Sequence, residues 1–155
     1  MRGTTFNHVS IHAMSIDDSV AFYTNVFGMK QIPHPVFRQP VAWLIVGEQE
    51  LHLFERDTPA PDLQHFALSV DDFEAVYVKA KALGILDDES WSSHIYELPD
   101  GSVQLYLRDP ADNLVEVDWP DVTTLDRSVV THLRKLADDV PQTGDAARAT
   151  LFPAG

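Results

Sequence analysis

The sequence predicts an α+β fold made of two copies of one strand–helix–three-strand unit (βαβββ). The first observation is a near-repeat, because residues 7–15 (NHVSIHAMS) and 64–72 (QHFALSVDD) both begin with a polar residue and a histidine and continue with alternating apolar residues. The second is that a helix-capping residue follows seven positions after each of His8 and His65, namely Ser15 and Asp72. The third is that a glycine ends each helix pattern, namely Gly28 and Gly84. Such self-similarity predicts an internal duplication.

The first half of the chain shows the order of elements within one unit. Alternating residues predict a strand over 6–13, and the helix that follows Ser15 carries its apolar residues on one face. The next segment, 30–38, contains two prolines, which cannot donate to a strand ladder, so we predict an edge strand or an irregular ribbon there. Two further strands, joined by a short turn, are predicted over 41–46 and 50–55.

The second half repeats this order after a short, proline-rich joint at 57–62 (DTPAPD). A strand over 64–70 leads into a helix over about 72–83, whose apolar residues again recur at helical spacing. Strong turn signals then separate three more strands. These strands are predicted over 93–98, 103–108 and 114–118.

The two halves together predict a single domain over residues 5–120. Module 1 spans about 5–56 and module 2 about 63–119. The pattern stops there, and residues 121–155 form a C-terminal extension. We predict one helix at about 128–140, where apolar residues recur at helical spacing, followed by a flexible tail rich in Ala, Gly, Pro and Thr.

Composition excludes several classes of protein and site. The chain has no cysteine, so disulfides, thiolate metal sites and a cysteine nucleophile are excluded. The formal net charge of −13 argues against binding to nucleic acid or to anionic membrane surfaces. No apolar run reaches the roughly 18 residues of a membrane span, and the first residues lack the apolar stretch of a signal peptide. A cytoplasmic location is therefore expected.

Four residues that can bind a metal ion occupy equivalent strands of the two halves. Side chains alternate between the faces of a strand, so the neighbours of residues that pack on the helix point away from it. This rule places His8, His52, His65 and Glu116 on the face away from the helix. Three imidazoles and a carboxylate suit a divalent first-row metal. Any three of them with open coordination positions would form a catalytic rather than a structural site.

The order and spacing of these segments resemble the vicinal oxygen chelate superfamily, which includes glyoxalase I, extradiol dioxygenases and bleomycin resistance proteins. The resemblance covers residues 6–119. The chain departs from the family at 111–113 (ADN), where members often carry DGN or DGH. This difference concerns the geometry of the turn and leaves the ligands unchanged. The segments that carry it are 7–11 (NHVSI), 21–23 (AFY), 27–29 (FGM), 51–54 (LHLF), 65–72 (HFALSVDD), 106–110 (YLRDP) and 113–117 (NLVEV).

The resemblance implies paired βαβββ modules that curl around a metal-binding cleft and act on a small-molecule substrate. It carries over His8 and His65 as the ligands that open the two modules and Glu116 as the carboxylate ligand on the last strand. His52 matches a fourth position that differs among members. One divalent ion is implied, without a choice among Fe²⁺, Ni²⁺, Mn²⁺, Zn²⁺ and Co²⁺. A homodimer is expected, because members usually pair modules across chains or pack their sheet edges together.

Further residues are predicted to contact substrate or move protons. Glu116 and His12 are the predicted catalytic residues. His12 shares a face with His8 and can act as a general base or substrate contact, or else lie at the cavity rim. Tyr106 is predicted to contact substrate, with a core aromatic as the alternative. Trp43 and Phe54 are predicted to form the cavity wall.

Three functions follow from this site, and the sequence leaves them open. The first is a metal-dependent lyase or isomerase of glyoxalase type, in which a base moves a proton on a substrate held through vicinal oxygens. The second is an Fe(II)-dependent dioxygenase of extradiol type, which needs three open positions on the metal. The third is a non-enzymatic protein that binds a drug or metabolite, as in resistance. A nearly complete ligand set argues against the third.

Overall fold

A computed structural model of the chain describes residues 5–152, and the last three residues of the predicted tail lie outside this range. The chain divides into two compact units. Unit 1 runs to Gln64 and also contains Asp109–Asn113. Unit 2 contains His65–Arg108 and continues from Leu114. The predicted α+β fold is confirmed, because each unit holds one sheet and the helices are few.

Unit 1 has a four-stranded sheet and one long helix. Its strands are β1 (His8–Ala13), β2 (Lys30–Ile32), β3 (Val41–Val46) and β4 (Gln49–Glu55), and its helix is α1 (Ile16–Phe27). The strand order is β1-β4-β3-β2. β1 and β4 are parallel, and the other neighbours are antiparallel. The prediction for 30–38 is confirmed in part, since only its first three residues form a strand before the prolines begin.

Unit 2 repeats the order with one strand added. Its elements are β5 (His65–Ser69), α2 (Phe73–Leu83), β6 (Ile95–Glu97), β7 (Val103–Arg108), β8 (Leu114–Trp119), β9 (Arg134–Lys135) and α3 (Leu136–Asp139). The strand order is β5-β8-β7-β6-β9. β5 and β8 are parallel, as β1 and β4 are in unit 1. The predicted repeat is therefore present in the sheet topology.

The predicted caps form in both long helices. The Ser15 Oγ accepts a hydrogen bond from the backbone N–H of Asp18 at 3.3 Å, and the Asp72 Oδ1 accepts one from Ala75 at 2.9 Å. Both helices end at a glycine in the left-handed region, where a side chain would be strained. Gly28 has a φ of 66° and Gly84 a φ of 67°.

The apolar residues predicted to pack on the helices from the two central strands are buried. In β4, Leu51 and Leu53 are 3% and 0% exposed, and in β8 both Val115 and Val117 are fully buried. Aromatic residues of the helices are buried as well, such as Tyr23 of α1. The intervening residues His52 and Glu116 are buried as well, at 6% and 4% exposed, so both faces of these strands are covered. Strand alternation places them on the face opposite these apolar residues.

The loop between β7 and β8 belongs to unit 1, where a buried carboxylate holds it. The Asp109 Oδ1 accepts hydrogen bonds from the backbone N–H groups of Ala111 and Asn113, both at 2.8 Å. Its Oδ2 accepts from the Tyr23 hydroxyl and from the Asn113 side chain, again at 2.8 Å. The Asn113 amide also donates to the His12 carbonyl at 2.8 Å. The turn is thereby tied to α1 and β1.

The C-terminal extension differs from its prediction. No helix covers 128–140, and α3 is only four residues long. Val130 is 1% exposed, His132 has a φ of 64°, and β9 pairs with β6. The segment buries Val130 and pairs β9 with β6 instead of forming the predicted amphipathic helix. The left-handed backbone of His132 is also incompatible with a continuous helix. In the described part of the chain, no helix has the length and apolar character needed to cross a membrane.

Candidate functional site

In unit 1, two of the predicted ligands stack on each other. The rings of His8 and His52 have centroids 4.2 Å apart and planes 14° apart. The Trp43 indole stacks on the other side of His52, with centroids 4.0 Å apart and planes 2° apart. The pairing of β3 with β4 sets Trp43 opposite His52, which explains the stack. His52 is 6% exposed as a result, while His8 is exposed.

This stack limits how the two imidazoles can share an ion. An imidazole nitrogen binds a metal in the plane of its ring, and parallel rings about 4 Å apart direct such bonds side by side instead of at one point. The His52 Nε2 already lies 2.8 Å from the Glu50 Oε2, and the His8 Nδ1 lies 2.9 Å from the Asn7 Oδ1. Binding of one ion by both rings therefore requires one of them to turn.

In unit 2, the other two predicted ligands are adjacent. The parallel pairing of β5 with β8 sets Ala67 opposite Glu116, and the His65 Nε2 lies 3.2 Å from the Glu116 Oε2. Two metal bonds of about 2.1 Å at a right angle would separate their ligand atoms by about 3 Å. The His65–Glu116 contact is a histidine–carboxylate ion pair in this structure, and its spacing also matches that of two ligands of one ion. Its donor types suit a divalent metal.

Three polar side chains surround the Glu116 carboxylate, which is 4% exposed. The Gln104 Nε2 donates to its Oε1. Burial raises the pKa of Tyr106, and so does its hydrogen bond to Glu116, so its hydroxyl remains a donor. Burial, followed by the nearby Glu116, raises the pKa of Asp118 to about 8, which keeps Asp118 protonated at neutral pH. Gln104 and Tyr106 thereby supply hydrogen bonds to the Glu116 carboxylate.

Sequence reasoning missed Gln104 and Asp118. Asp118 is 6% exposed, and its Oδ1 has no hydrogen-bond partner among the described residues. The signal was present, since Asp118 alternates onto the same face as Glu116. Gln104 lies opposite Asp118 in the β7–β8 ladder, but that register is visible only in the folded chain.

The remaining predicted residues of unit 1 lie in two settings. Phe54 is half-buried and contacts Phe37 edge-on at 5.9 Å, and Phe37 also lies 6.2 Å from Trp43. These rings form an apolar surface on the face that bears His52. His12 is half-buried, and its Nδ1 is 3.5 Å from the Thr58 hydroxyl. His12 lies four positions after His8 along the strand, a distance of about 13 Å.

A cavity of about 310 Å³ also lies in unit 1. Its lining includes Thr58 but none of the four predicted metal ligands. Among residues 5–152, no three His, Asp or Glu side chains are grouped as the ligands of one ion. The predicted ligands occur as two pairs, one in each unit, and the four-residue site stays a prediction.

Comparisons with known proteins agree on one family. The model of the Glyoxalase/Bleomycin resistance protein/Dioxygenase superfamily matches residues 5–117. The metallothiol transferase FosB of Lysinibacillus sphaericus (strain C3-41) is 31% identical over 111 residues, which are 63% of this chain and 77% of that protein.

Solved structures show the same fold. The lactoylglutathione lyase from Agrobacterium tumefaciens has a TM-score of 0.58 and 24% identity, and the match covers 81% of this chain and 100% of that one. A glyoxylase/bleomycin resistance protein/dioxygenase domain from Frankia sp. EAN1pec has a TM-score of 0.61 and 20% identity, covering 76% of this chain and 98% of that one. The family model ends before the C-terminal extension begins.

Proposed function

Because the chain belongs to the glyoxalase/bleomycin resistance protein/dioxygenase superfamily, we propose that it is a metal-dependent enzyme of glyoxalase type. It acts as a lyase or isomerase on a small molecule that presents two vicinal oxygens. The observation that carries the proposal is the His65–Glu116 pair, whose 3.2 Å separation is that of two ligands on one ion. His8 occupies the equivalent place on the first strand of the other repeat.

His8, His65 and Glu116 are the proposed ligands of one divalent ion, and His52 is the proposed fourth. The paired modules form one domain over about 5–120. When bound, the metal would polarise the vicinal oxygens of the substrate. Because His52 stacks on both His8 and Trp43, it has an alternative role, which is to orient His8 and close one side of the site. Replacement of His52 separates the two roles.

The proton transfer is assigned first to Glu116. Its side chain is buried, and hydrogen bonds from Gln104 and Tyr106 fix the orientation of its carboxyl group. A buried carboxylate held in this way can accept a proton from a carbon beside a polarised carbonyl. His12 is the alternative base, and its distance of about 13 Å from His8 along the strand requires a long substrate. Tyr106, Trp43 and Phe54 would contact the apolar part of the substrate.

The primary test is metal content and isomerisation together. The protein purified without added chelator should hold about one divalent ion per chain, measured by inductively coupled plasma mass spectrometry. The hemithioacetal of a 2-oxoaldehyde and a thiol is the substrate to test, and oxygen uptake with a catechol tests the dioxygenase alternative. Isomerisation without oxygen uptake supports the proposal. Oxygen uptake that requires Fe²⁺ would replace it with dioxygenase chemistry.

Replacing His52 by Ala tests its role directly. If His52 is a ligand, metal affinity should fall on the order of 10-fold or more. If it orients His8 and lines the site, metal content should stay near one per chain while substrate KM rises. His34→Ala is the matched control, because His34 also lies near Trp43, at 6.4 Å, but is not a predicted ligand. An unchanged metal affinity and an unchanged KM would remove His52 from the site.

A second candidate is metal-dependent thiol transfer, which the 31% identity to a protein named metallothiol transferase favours. It would use the same ligands and differ in the substrate. Loss of free thiol in the presence of an electrophile and the metal-loaded protein would favour this reaction. Equal loss with the Glu116→Gln variant would show that the site is not responsible.

A homodimer is the proposed assembly. β1 and β5 each lie at the edge of a sheet, and an exposed edge is open to pairing with another chain. Val9 of β1 is 38% exposed and the preceding Phe6 is 86% exposed, which adds apolar surface at that edge. Sedimentation at micromolar concentration should show twice the chain mass of 17.4 kDa. A single species of 17.4 kDa would contradict the dimer.

A further inference from the structure

A half-exposed tryptophan borders the candidate ligand of unit 2. Trp91 is 38% exposed, and its ring centroid lies 6.4 Å from that of His65, with the planes at 80°. It also lies 6.0 Å from Tyr106, which itself contacts His65 edge-on at 6.2 Å. An exposed indole beside the imidazole of His65 offers apolar contact to whatever molecule reaches that histidine.

The loop that carries Trp91 is fixed on its N-terminal side. The Asp87 carboxylate accepts hydrogen bonds from the backbone N–H of Glu89 at 3.2 Å and from the Ser90 hydroxyl at 2.5 Å. The Arg108 Nη2 donates to the Ser90 Oγ at 2.7 Å and forms an ion pair with Asp87 at 3.2 Å. The residue that precedes Trp91 is therefore anchored to the end of β7.

The C-terminal extension fixes the other side of the loop. The Trp91 carbonyl accepts a hydrogen bond from the Tyr96 hydroxyl at 2.7 Å, and the same hydroxyl lies 3.1 Å from the Asp139 Oδ2. Arg134 joins this group, because its Nη2 donates to the Asp139 Oδ1 at 2.6 Å and its Nη1 to the Ser92 carbonyl at 3.3 Å. Ser92 has a φ of 61°, an uncommon conformation for serine that these contacts hold in place.

These contacts with the Trp91 loop indicate a role for the C-terminal extension, which lies beyond the residues that match the family model. We propose that Trp91 is a substrate-binding residue for a planar aromatic group, and that Arg134 and Asp139 are positioning residues that hold its loop. The inference rests on the proposed function, because it takes His65 as part of the site. An indole face gives a planar ring an attractive stacking surface and gives a small aliphatic group little. The C-terminal extension thus selects the substrate without touching it.

The binding part is tested with two chelating probes on the Zn²⁺-loaded protein. Both 4-nitrocatechol and acetohydroxamate present vicinal oxygens, but only the first has an aromatic ring. Trp91→Ala should weaken 4-nitrocatechol binding about 10-fold and leave acetohydroxamate binding nearly unchanged. Trp91→Phe, which keeps an aromatic face, should retain most of the affinity. Trp119→Ala is the matched control, since Trp119 packs on Phe73 instead.

The outcomes separate this inference from the proposed function. If Trp91→Ala holds its metal and binds 4-nitrocatechol as the wild type does, the substrate-binding role is overturned alone. An equal loss for both probes overturns it too, because the effect then concerns the metal site and not the ring. A wild-type protein that retains no Zn²⁺ overturns the proposed function instead, and the substrate-binding role with it.

The positioning part has a readout that needs neither metal nor substrate. In a Trp43→Phe, Trp119→Phe background, Trp91 is the one remaining tryptophan of the three in the sequence. Arg134→Gln and Asp139→Asn should each increase acrylamide quenching of its fluorescence. In the wild-type background, which keeps Trp43, the same two substitutions should also weaken 4-nitrocatechol binding at constant metal content. Lys135→Gln is the control on the same strand, because Lys135 pairs with Glu97 at 3.0 Å and not with the loop. Equal quenching in Arg134→Gln and Lys135→Gln proteins overturns the positioning role.

Discussion

Removing one hydroxyl from the buried turn should destabilise the protein by an amount that depends on pH. Tyr23 is fully buried, and its hydroxyl donates to the Asp109 Oδ2 at 2.8 Å. In Tyr23→Phe the ring and its packing remain, while the carboxylate loses one of four hydrogen bonds. A hydrogen bond to a charged group contributes about 1.5–3 kcal/mol. Because the Oδ2 keeps its bond from Asn113, we expect a loss of about 2 kcal/mol when the Asp109 carboxyl is ionised.

The pH dependence follows from the raised pKa of Asp109. Burial raises that pKa above 3.8, and the hydrogen bond from Tyr23 partly opposes this effect. The folded protein therefore binds this proton more tightly than the unfolded chain, and the contribution of Asp109 to stability declines as the pH rises from 3.8 through the folded pKa. The tyrosine hydroxyl stabilises the charged form. The loss in Tyr23→Phe should be complete above the folded pKa and should shrink as the carboxyl is protonated.

Urea unfolding followed by circular dichroism measures both effects. A loss of about 2 kcal/mol corresponds to a fall in Tm of about 4–8 °C for a chain of this size. Tyr77→Phe is the control, because the Tyr77 hydroxyl bonds to neutral oxygens of Thr131 at 3.0 Å. That variant should lose about 1 kcal/mol with little dependence on pH. A loss below about 0.5 kcal/mol in Tyr23→Phe, or one that is the same at pH 4 and pH 7, would refute the reasoning.

Other outcomes concern the metal and the helices. Glu116→Gln keeps the shape but removes the one anion among the proposed ligands, so the metal content should fall from about one per chain to near zero, and full loading would contradict its role. Metal affinity should drop as the pH falls below about 6.5, because imidazoles bind only when neutral, and equilibrium dialysis that shows no such drop would exclude histidine ligands. Asp72→Ala removes the capping bond to Ala75 and should cost about 1 kcal/mol in urea unfolding. Asp71→Ala should cost little, and equal losses in the two variants would argue against the cap.

The local elements were predictable from the sequence because local chemistry decides them. Ser15 and Asp72 can cap a helix wherever it begins, and Gly28 can end it at positive φ, so caps and stops were readable from spacing alone. The alternation in β4 and β8 was equally readable, since one face of each strand packs on a helix. The positions of His8, His52, His65 and Glu116 on their strands followed from the same rule.

What escaped prediction depends on partners distant in sequence. The helix predicted for 128–140 had the right periodicity, but Val130 is buried and β9 pairs with β6, and these tertiary contacts override a local preference. Gln104 lies opposite Asp118 through the strand register of β7 and β8, which the sequence alone did not supply. The stack of His52 on Trp43 depends on the same register between β3 and β4.

The turn at Asp109–Asn113 has a consequence for how the protein reaches its native state. The bond from Tyr23 to Asp109 joins residues 86 positions apart, and its partners lie in the two different copies of the duplicated unit. Unit 1 is consequently assembled from two separate stretches of chain, so the repeated unit of the sequence and the compact unit of the structure have different boundaries. Closing such a long loop is slow compared with forming a helix or hairpin. A nascent chain cannot complete unit 1 until most of the second copy has left the ribosome.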